Sequence, residues 1–466
     1  MIDIRFIREH PEVIKENIKK KFQNDKLPLV DKLINLDEEW RRLKGELDDL
    51  RHERNETSEK INLAKKQGER VDSIIKRAKE IPQKIGEIEP RVNQLEEEIK
   101  NIMLKIPNIM SKETPIGKDA SHNKEFKKSG KIPKFSFPVK THVELAEGLG
   151  IADFDASARV SGAGFYYIKD ELAILNQALI RFAIDFMRKK GYHYIETPLM
   201  LDDKSIFASM DKTAIEQSVY SIKDEKLSLI GTAEQSLLAS LSGQTIPEDE
   251  LPKKYFSYSM CFRKEVGAHG INEKGLWRTH QFNKVEQFIF CKPEDSIKFY
   301  NELFKNSDEL LKELGLSYRW IEICSGDLGD WKYRSADFEV YRPTTKEYGE
   351  LGSLTNCKDY QARKLDIKCV DSKGNKRVLH TLNNTALATS RAMVAILENN
   401  QQKNGSIKIP KVLWKYTGFK EISSKKEISV PQSAKRGQAD RSKEIKVKKI
   451  EGKKEIKGKG TKKVKK

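Results

Sequence analysis

Two heptad repeats near the start of the chain constrain its fold more than any other feature of the sequence. In each repeat, apolar side chains recur at alternating spacings of four and three residues, which is the a/d pattern of a coiled coil. The first repeat consists of Leu36, Trp40, Leu43, Leu47, Leu50, Arg54, Thr57, Ile61 and Ala64, and the second of Ile74, Ala78, Ile81, Ile85, Ile88, Val92, Leu95, Ile99 and Ile102. The polar residues 65–70 join the two repeats by a short turn, so the two helices must run antiparallel. We expect helices of roughly 30–35 residues and a hairpin about 45–50 Å long.

Two prolines interrupt the second repeat. Pro82 and Pro90 each lack a backbone donor, and each should kink a helix that contains it. Because the apolar repeat continues on both sides of them, the sequence predicts a kinked helix here and not a loop.

The middle of the chain, residues 130–420, has the pattern of a compact mixed domain. An amphipathic helix is predicted over 172–190, and short apolar strands over 226–230, 255–262 and 285–291. Turns separate several of these strands, which favours an antiparallel sheet over a doubly wound parallel one. No G-x-G-x-x-G or G-x-x-x-x-G-K-[ST] segment occurs, so any nucleotide must bind in another way.

The charge is concentrated at the end of the chain. Residues 421–466 carry +11 of the net charge of +18, and we expect this Lys-rich tail to be disordered. The tail favours an anionic partner, but a solubilising role or an import-like signal explains it equally well. No run of ~18 apolar residues predicts a membrane span. The five cysteines are widely spaced, which indicates free thiols in a reducing cytoplasm and no zinc site.

The segment with the most specific chemistry is a pair of strands near the centre. Residues 262–265 read Phe-Arg-Lys-Glu, and after a loop residues 278–286 read RTHQFNKVE, which gives the pattern F-R-x-E…R-x-x-x-F-x-x-x-E. The planar guanidinium of Arg263 can bind a carboxylate nucleophile and a phosphate oxygen together. This arrangement suits activation of a carboxylate by ATP, a reaction that depends on positioning and charge neutralisation.

Four further segments complete a resemblance to a known family. Residues 191–200 (GYHYIETPLM) precede the central pair, residues 383–391 (NNTALATSR) follow it, and 231–234 (GTAE) and 350–353 (ELGS) lie between. Together these segments resemble the zinc-free type of seryl-tRNA synthetase, in the class II family of aminoacyl-tRNA synthetases. The resemblance implies an α+β fold, with an antiparallel catalytic sheet flanked by helices and an N-terminal antiparallel coiled-coil arm. It also implies a tRNA-binding domain over 1–110 with the arm at about 30–105, a catalytic domain over 111–420, and the tail over 421–466.

The resemblance assigns roles to individual residues. The implied catalytic residues are Arg263, Glu286 and Arg391. The implied ATP-binding residues are Arg263, Lys264, Glu265, Thr279, His280, Gln281, Phe282, Glu350, Leu351, Gly352, Ser353 and Arg391. The implied serine-binding residues are Thr232, Ala233, Glu234, Arg263, Glu286 and Thr385. Glu350 and Ser353 are the implied ligands of a Mg²⁺ ion that accompanies ATP, since both offer hard oxygen atoms.

The resemblance also implies partners. These are serine, ATP and serine tRNA, with selenocysteine tRNA as a further candidate, and a homodimer in which residues 191–200 build the interface. The arm would grip the long variable arm of the tRNA through some of its basic residues, which are Arg41, Arg42, Lys44, Arg51, Lys60, Lys65, Lys66, Arg70, Lys76, Arg77 and Lys79. Neighbouring acids make a solvated face of salt bridges the competing interpretation of these residues.

Three other functions compete with a serine–tRNA ligase. A relative that lost catalysis and only binds RNA or protein would not need the charged residues of the motifs. A ligase acting on a carrier protein would not need the arm. A coiled-coil nucleic-acid-binding structural protein would leave the motif-rich middle of the chain without a use.

Overall fold

The computed structural model of the protein describes residues 1–68, 70–266 and 274–423. The α-helices of these residues are α1 (Ile4–Glu9), α2 (Pro11–Lys20), α3 (Leu27–Gln67), α4 (Asp72–Met103), α5 (His142–Gly148), α6 (Phe154–Ser161), α7 (Asp170–Lys189), α8 (Asp203–Ser209), α9 (Lys212–Ser218), α10 (Ala233–Ala239), α11 (Ser296–Glu313), α12 (Tyr360–Lys364), α13 (Thr389–Asn400) and α14 (Trp414–Thr417). The strands are β1 (Lys124–Ser129), β2 (Ala152–Asp153), β3 (Tyr167–Ile168), β4 (His193–Tyr194), β5 (Met200–Asp202), β6 (Leu227–Leu229), β7 (Thr245–Pro247), β8 (Lys253–Phe262), β9 (Gln281–Cys291), β10 (Tyr318–Glu322), β11 (Arg334–Arg342), β12 (Glu347–Lys358), β13 (Lys368–Val370), β14 (Lys376–Val378), β15 (His380–Ala388), β16 (Ile407–Lys408) and β17 (Glu421–Ile422). The predicted disorder of the Lys-rich tail concerns residues that, from 424 onward, lie outside the described ranges.

Helices α3 and α4 form the predicted antiparallel hairpin, called the arm below. Leu47 of α3 packs in one apolar cluster with Ile81, Ile85 and Val92 of α4, which confirms the two heptad repeats. The exception is Arg54, which is exposed, as its polar side chain requires. Gly68 ends α3 in the left-handed conformation, with φ of 73°.

The predicted helix length was too short for α3. This helix has 41 residues and α4 has 32, so α3 spans about 60 Å at ~1.5 Å per residue. The extra turns precede the heptad repeat, because Val30 and Leu33 pack against α1 and α2 in a separate core at the base of the arm.

Both prolines lie within α4, which continues through them. Pro82 and Pro90 occupy interior positions of the helix. The prediction of a helix and not a loop is therefore confirmed. Neighbouring Ile81 and Ile85 stay buried against α3, so packing holds the helix together where two backbone donors are missing.

Ion pairs bridge the two helices of the arm along their exposed flanks. The pairs that join α3 to α4 are Glu39–Arg91, Arg51–Glu89 and Glu53–Arg77. Solvent and salt screen such pairs, so they fix the register of the helices more than they stabilise the arm.

The largest sheet has eight strands in the order β1-β10-β11-β12-β15-β9-β8-β4. Its neighbouring strands are antiparallel, except that β4 runs parallel to β8 at one edge. Helices α7, α11 and α13 supply the apolar residues that cover one face of the sheet. The predicted α+β fold with an antiparallel sheet is therefore confirmed. Residues Met1–Ile422 form one compact unit.

Strand alternation divides β9 between the two faces of the sheet. Val285 and Ile289 lie in the core beneath the helices. Since successive side chains point to opposite faces, Lys284 and Glu286 point to the other face, where α8, α10 and α12 cover only the part around Phe288 and Phe290. Thr385 of β15 is the direct cross-strand partner of Glu286 and shares that open face. Among the described helices, none combines the length and the apolar character that crossing a bilayer requires.

We predict that Ile81→Ala destabilises the arm, because Ile81 is fully buried in the seam between α3 and α4. A cavity of this kind should lower the free energy of unfolding by about 2–5 kcal/mol. Hydrogen exchange of arm amides measures the loss directly. Leu63→Ala is the matched control, because Leu63 lies on the same hairpin but is 58% exposed. Equal loss of protection in both variants would contradict a buried seam.

Candidate active site

A cleft on the open face of the large sheet brings together residues that are far apart in the chain. Its lining comes from β8, β9, β12, β15, the start of α13 and the connection before β9. The lining residues are Arg263, Glu265, Trp277, Arg278, Thr279, Phe282, Lys284, Glu350, Leu351, Gly352, Ser353, Thr385, Ala388, Ser390 and Arg391. Arg263 and Arg391 therefore converge on one space, as the predicted triphosphate site requires.

Arg263 follows the last residue of β8 and is held from two sides. Its Nε donates a hydrogen bond to the carbonyl oxygen of Gly231 at 3.1 Å. Its guanidinium also lies over the ring of Phe282, at 5.3 Å from the ring centroid. Because the guanidinium has five N–H donors, most of the fork stays available to a ligand in the cleft.

Glu265 closes the base of the loop between β8 and β9. Its φ of 53° lies in the left-handed region, which is uncommon for a residue with a side chain. Its carboxylate accepts a hydrogen bond from Arg278 at 2.7 Å, so the pair joins the two ends of the loop. Backbone strain of this kind persists where the surrounding contacts hold it, and it clusters at ligand sites.

Arg391 begins α13 and is held by three contacts. One terminal nitrogen donates to the carbonyl oxygen of Glu350 at 2.7 Å and lies 3.2 Å from its carboxylate. Nε donates to the carbonyl oxygen of Trp277 at 3.3 Å. Burial alone would raise the pKa of Glu350, but the positive charges of Arg391 and Arg263 lower it below the ordinary value. Glu350 is thus anionic in the same space as both guanidinium groups.

A buried histidine supports the wall that contains Trp277. Nδ1 of His142 lies 2.9 Å from the Glu398 carboxylate, and Nε2 accepts a hydrogen bond from the backbone N–H of Leu276 at 3.1 Å. Arg342 also pairs with Glu398, and its guanidinium lies over the Trp277 ring at 4.4 Å. Burial opposes ionisation of Glu398, but the hydrogen bonds from His142 and Arg342 lower its pKa to about 2. Because Leu276 precedes Trp277 in the chain, its hydrogen bond to His142 holds Trp277 against the cleft.

Glu286 lies at the inner end of the cleft and is almost fully buried. One of its oxygens, Oε2, accepts a hydrogen bond from the Thr232 hydroxyl at 2.9 Å and contacts the Lys284 ammonium. The Lys284 ammonium also lies 3.5 Å from the hydroxyl oxygen of Thr385. The other oxygen, Oε1, has no hydrogen-bond partner among the described residues.

Glu234, in the first turn of α10, is a second carboxylate beside Glu286. Its Oε1 accepts hydrogen bonds from the side-chain amides of Gln361 at 2.8 Å and Asn383 at 2.9 Å. Burial and the negative charge of Glu286 raise the pKa of Glu234 to about 7. The pocket holds two carboxylates; Lys284 contacts Glu286, and the positive charges of Lys284 and Lys332 both act on Glu234. The paired carboxylates suit a cationic ligand.

Ser353 and Glu350 of β12 lie on the wall of the cleft opposite Arg263. Asp337 of β11 is the direct cross-strand partner of Ser353, and its buried Oδ1 has no hydrogen-bond partner in the part of the chain that the structure describes. Burial and the charge of Glu350 raise the pKa of Asp337 well above its ordinary value. Within the described residues, no group of three or more His, Cys, Asp or Glu side chains could hold a metal by itself. An ion here would therefore need oxygen atoms from a ligand.

The structure places most, but not all, of the predicted site residues at the cleft. Lys264, His280 and Gln281 do not line it. Nδ1 of His280 lies 2.9 Å from the carbonyl oxygen of Arg263, behind the cleft wall, and Gln281 lines a groove on the other face of the sheet. Thr232, Ala233 and Glu234 adjoin the inner pocket through the first turn of α10.

Several residues of the site were not predicted from the sequence. These are Trp277, Arg278, Lys284, Gln361 and Asn383. Lys284 and Arg278 are inside the quoted motif and could have been found from their charge. Gln361 carries no local signal, since it reaches Glu234 only through the packing of α12.

Two known protein families match separate parts of the chain. Residues 1–110 match the family described as the seryl-tRNA synthetase N-terminal domain, and residues 218–400 match the tRNA synthetase class II core domain (G, H, P, S and T). A serine–tRNA ligase of Methanocella arvoryzae is 42% identical over 418 residues, which cover 89% of this chain and 98% of the relative.

Two solved structures are similar over nearly the whole described chain. Seryl-tRNA synthetase from Pyrococcus horikoshii, complexed with ATP, has a TM-score of 0.85 at 40% identity and covers 91% of this chain and 100% of its own. Cytoplasmic serine–tRNA ligase from Naegleria fowleri, in complex with AMP, has a TM-score of 0.80 at 31% identity and covers 91% and 99%.

Proposed function

Because the chain belongs to the seryl-tRNA synthetase family, we propose that its cleft binds ATP and that the adjoining carboxylate pocket binds serine. The protein is a serine–tRNA ligase: it activates serine with ATP to seryl-adenylate and transfers the seryl group to the 3′ end of serine tRNA. The observation that carries our assignment of the site is the convergence of Arg263 and Arg391 beside Glu286 and Glu234.

The cleft residues suit adenylate formation by positioning and charge neutralisation. The free part of the Arg263 fork binds the serine carboxylate and the α-phosphate together, which brings nucleophile and phosphorus into contact. Arg391 binds the γ-phosphate and neutralises the charge of the leaving pyrophosphate. Phe282, which has Arg263 on one face, offers its other face to the adenine ring, and Glu265 meets the adenine amino group.

The inner pocket suits serine because each of its two carboxylates uses one oxygen for contacts with the described residues and leaves the other oxygen for the substrate. Glu286 offers Oε1 to the serine hydroxyl, together with the hydroxyl of Thr385. Glu234 offers Oε2 to the serine ammonium, and the positive charge of the ammonium balances negative charge in the pocket. A site built to hydrogen-bond a substrate hydroxyl can reject an analogue that lacks it by about 10⁴–10⁵. Alanine and glycine would leave Oε1 of Glu286 buried without a partner.

We propose that Mg²⁺ accompanies ATP at Glu350 and Ser353. The fit rests on their hard oxygens and on the unpartnered Oδ1 of Asp337 next to Ser353. Mg²⁺ usually binds one or two carboxylates and takes its other ligands from phosphates and water. It would supply charge neutralisation on the phosphates, while Arg263 and Arg391 orient them.

We also propose a homodimer whose interface includes residues 191–200. In support, β4 lies at the free edge of the large sheet. A groove beside α7 is lined by apolar residues, including Ile168, Ile174 and Met260, that a second copy could cover.

We place the protein in the cytoplasm, like its Naegleria fowleri relative.

We assign tRNA binding to residues 1–110 and catalysis to residues 111–420. Many basic residues along the arm pair with acids, as Arg42 does with Glu46. Nearer the tip, four lysines form no ion pair with any described residue: Lys65, Lys66, Lys76 and Lys79. We propose that these unpaired cations contact the phosphates of the tRNA.

We predict that Glu286→Ala abolishes most serine-dependent ATP–pyrophosphate exchange and reduces the preference for serine over alanine. The variant removes the acceptor for the serine hydroxyl and leaves the buried Lys284 ammonium unpaired. Exchange should fall at least about 100-fold, as for loss of a buried charged hydrogen bond. Glu322→Gln is the control, because it disrupts a comparably buried ion pair with Arg334 outside the cleft. Near-normal exchange with Glu286→Ala would remove Glu286 from serine recognition.

We predict that kcat/KM for serine falls as the pH drops from 8 to 6. Only the ionised form of Glu234 attracts the serine ammonium, and its pKa in the empty pocket is about 7. The ionised fraction therefore decreases by about tenfold over this interval. Glu234→Gln should lower kcat/KM for serine and abolish this pH dependence. A profile that is unchanged in the variant would assign the titration to another group.

We predict that the double variant Lys65→Gln, Lys66→Gln weakens tRNA binding and lowers its salt dependence. Each lost phosphate contact should reduce the slope of log K against log salt by about 1. Arg42→Gln on the paired part of the arm is the control, and serine-dependent pyrophosphate exchange without tRNA should not change in either. The same salt slope in the double variant and the original protein would exclude phosphate contacts by these lysines.

A further inference from the structure

Two side-chain amides hold the same oxygen of Glu234. Gln361 Nε2 donates to Oε1 at 2.8 Å, and Asn383 Nδ2 donates to it at 2.9 Å. The second oxygen, Oε2, accepts no hydrogen bond from any described residue. Two donors on one oxygen fix the rotation of the carboxylate and direct the other oxygen toward the pocket.

Gln361 is itself fixed in one orientation. It is fully buried on α12, and its Nε2 also donates to the carbonyl oxygen of Ser209 at 3.0 Å. Its Oε1 accepts the hydroxyl proton of Thr381 at 2.7 Å. A flipped amide would turn its oxygen toward a carbonyl and a carboxylate, neither of which can donate, so the surroundings allow only one orientation.

We propose that Gln361 is a positioning residue for amino-acid recognition, which holds Glu234 in place to receive the ammonium group of serine. This proposal rests on the proposed role of Glu234 in serine binding. Gln361 does not touch the substrate, and it belongs to none of the sequence motifs. Its contribution follows from the packing of α12 beneath the pocket.

The electrostatics of the pocket explain why such a residue is needed. The groups that face Glu234 are Glu286 and Lys284 of β9, Lys332 before β11 and the Cys357 thiol of β12. Burial and Glu286 disfavour the ionised form of Glu234, whereas hydrogen bonds from amides favour it. Removing the Gln361 donor should therefore shift the acid limb of serine binding to higher pH.

The effect should appear in KM and not in kcat. The ammonium group of serine is not changed when the carboxylate attacks the phosphate, so its binding contributes equally to the ground state and the transition state. Gln361→Met keeps the size of the side chain and removes its donors. We expect KM for serine to rise about 10-fold or more, as for a hydrogen bond to a charged group, with KM for ATP within about twofold.

Thr381→Val is the matched control. It removes the third hydrogen bond of the same buried amide but leaves both donors to Glu234 in place. Thermal melting of the two variants measures how far each substitution destabilises the fold. KM for serine should rise in Gln361→Met and stay nearly unchanged in Thr381→Val. A similar rise in both, or no rise in Gln361→Met, would overturn the proposal.

A second variant keeps the test informative if Gln361→Met folds poorly. Gln361→Glu preserves the shape of the side chain, but the new carboxyl group donates only when protonated. At pH 8, where the new carboxyl group is ionised and cannot donate, KM for serine should therefore exceed that of the original protein by about 10-fold or more, and an unchanged KM at pH 8 would overturn the proposal. Glu234→Gln separates this proposal from the one it rests on. If Glu234→Gln binds serine normally, the assignment of Glu234 fails. If Glu234→Gln binds serine poorly but the Gln361 variants bind it normally, only the positioning role of Gln361 fails.

Discussion

The register of β9 between β8 and β15 is the constraint on which the rest of the site depends. It puts Val285 into the core and Glu286 opposite Thr385 on the open face. A slip by one residue would exchange these faces, burying Lys284 and Glu286 among apolar side chains and presenting Val285 to the ligand. The apolar residues under α7, α11 and α13 therefore fix the position of the charged groups as firmly as direct contacts do. One strand register therefore determines both which residues of β9 enter the core and which residues enter the site.

Backbone carbonyl oxygens accept hydrogen bonds from the two arginines of the cleft, and these bonds do not neutralise the positive charges. Arg263 donates to Gly231, and Arg391 donates to Glu350 and Trp277, through carbonyl oxygens. A carbonyl carries no net charge, so each guanidinium keeps its positive charge for phosphate. Glu350 is the one carboxylate that pairs with Arg391, and its side chain is half exposed to the same cleft. The site is thereby preorganised for an anion before any ligand enters.

Local sequence patterns predicted the elements that bear the site, and long-range packing determined what the patterns could not. The heptad repeats predicted α3 and α4, and the motif spacing placed Arg263, Phe282 and Arg391 on elements that meet. The length of α3 was underestimated because its first turns pack against α1 and α2, contacts that no heptad encodes. Gln361 could not be found because the chain between α10 and α12 gives no periodic signal that they touch. Lys264, His280 and Gln281 carry suitable side chains in sequence, but Lys264 lies beyond the end of β8, strand alternation directs Gln281 to the other face, and His280, which precedes β9, contacts the carbonyl oxygen of Arg263.

The depth of the serine pocket depends on a close approach between β12 and β15. A Cβ atom added to Gly352 would lie 2.6 Å from Cβ of Thr385 and 2.5 Å from the Phe338 ring. Since Phe338 belongs to the packed core, a larger residue at 352 would displace Thr385 toward the pocket and away from its place beside Glu286. The proposed recognition of the serine hydroxyl by Glu286 would separate serine from alanine, but it would not separate serine from threonine, which carries the same hydroxyl. Exclusion of the extra methyl group must come from shape, and the fixed position of Thr385 against Gly352 and Phe338 makes this wall of the pocket rigid enough to supply it.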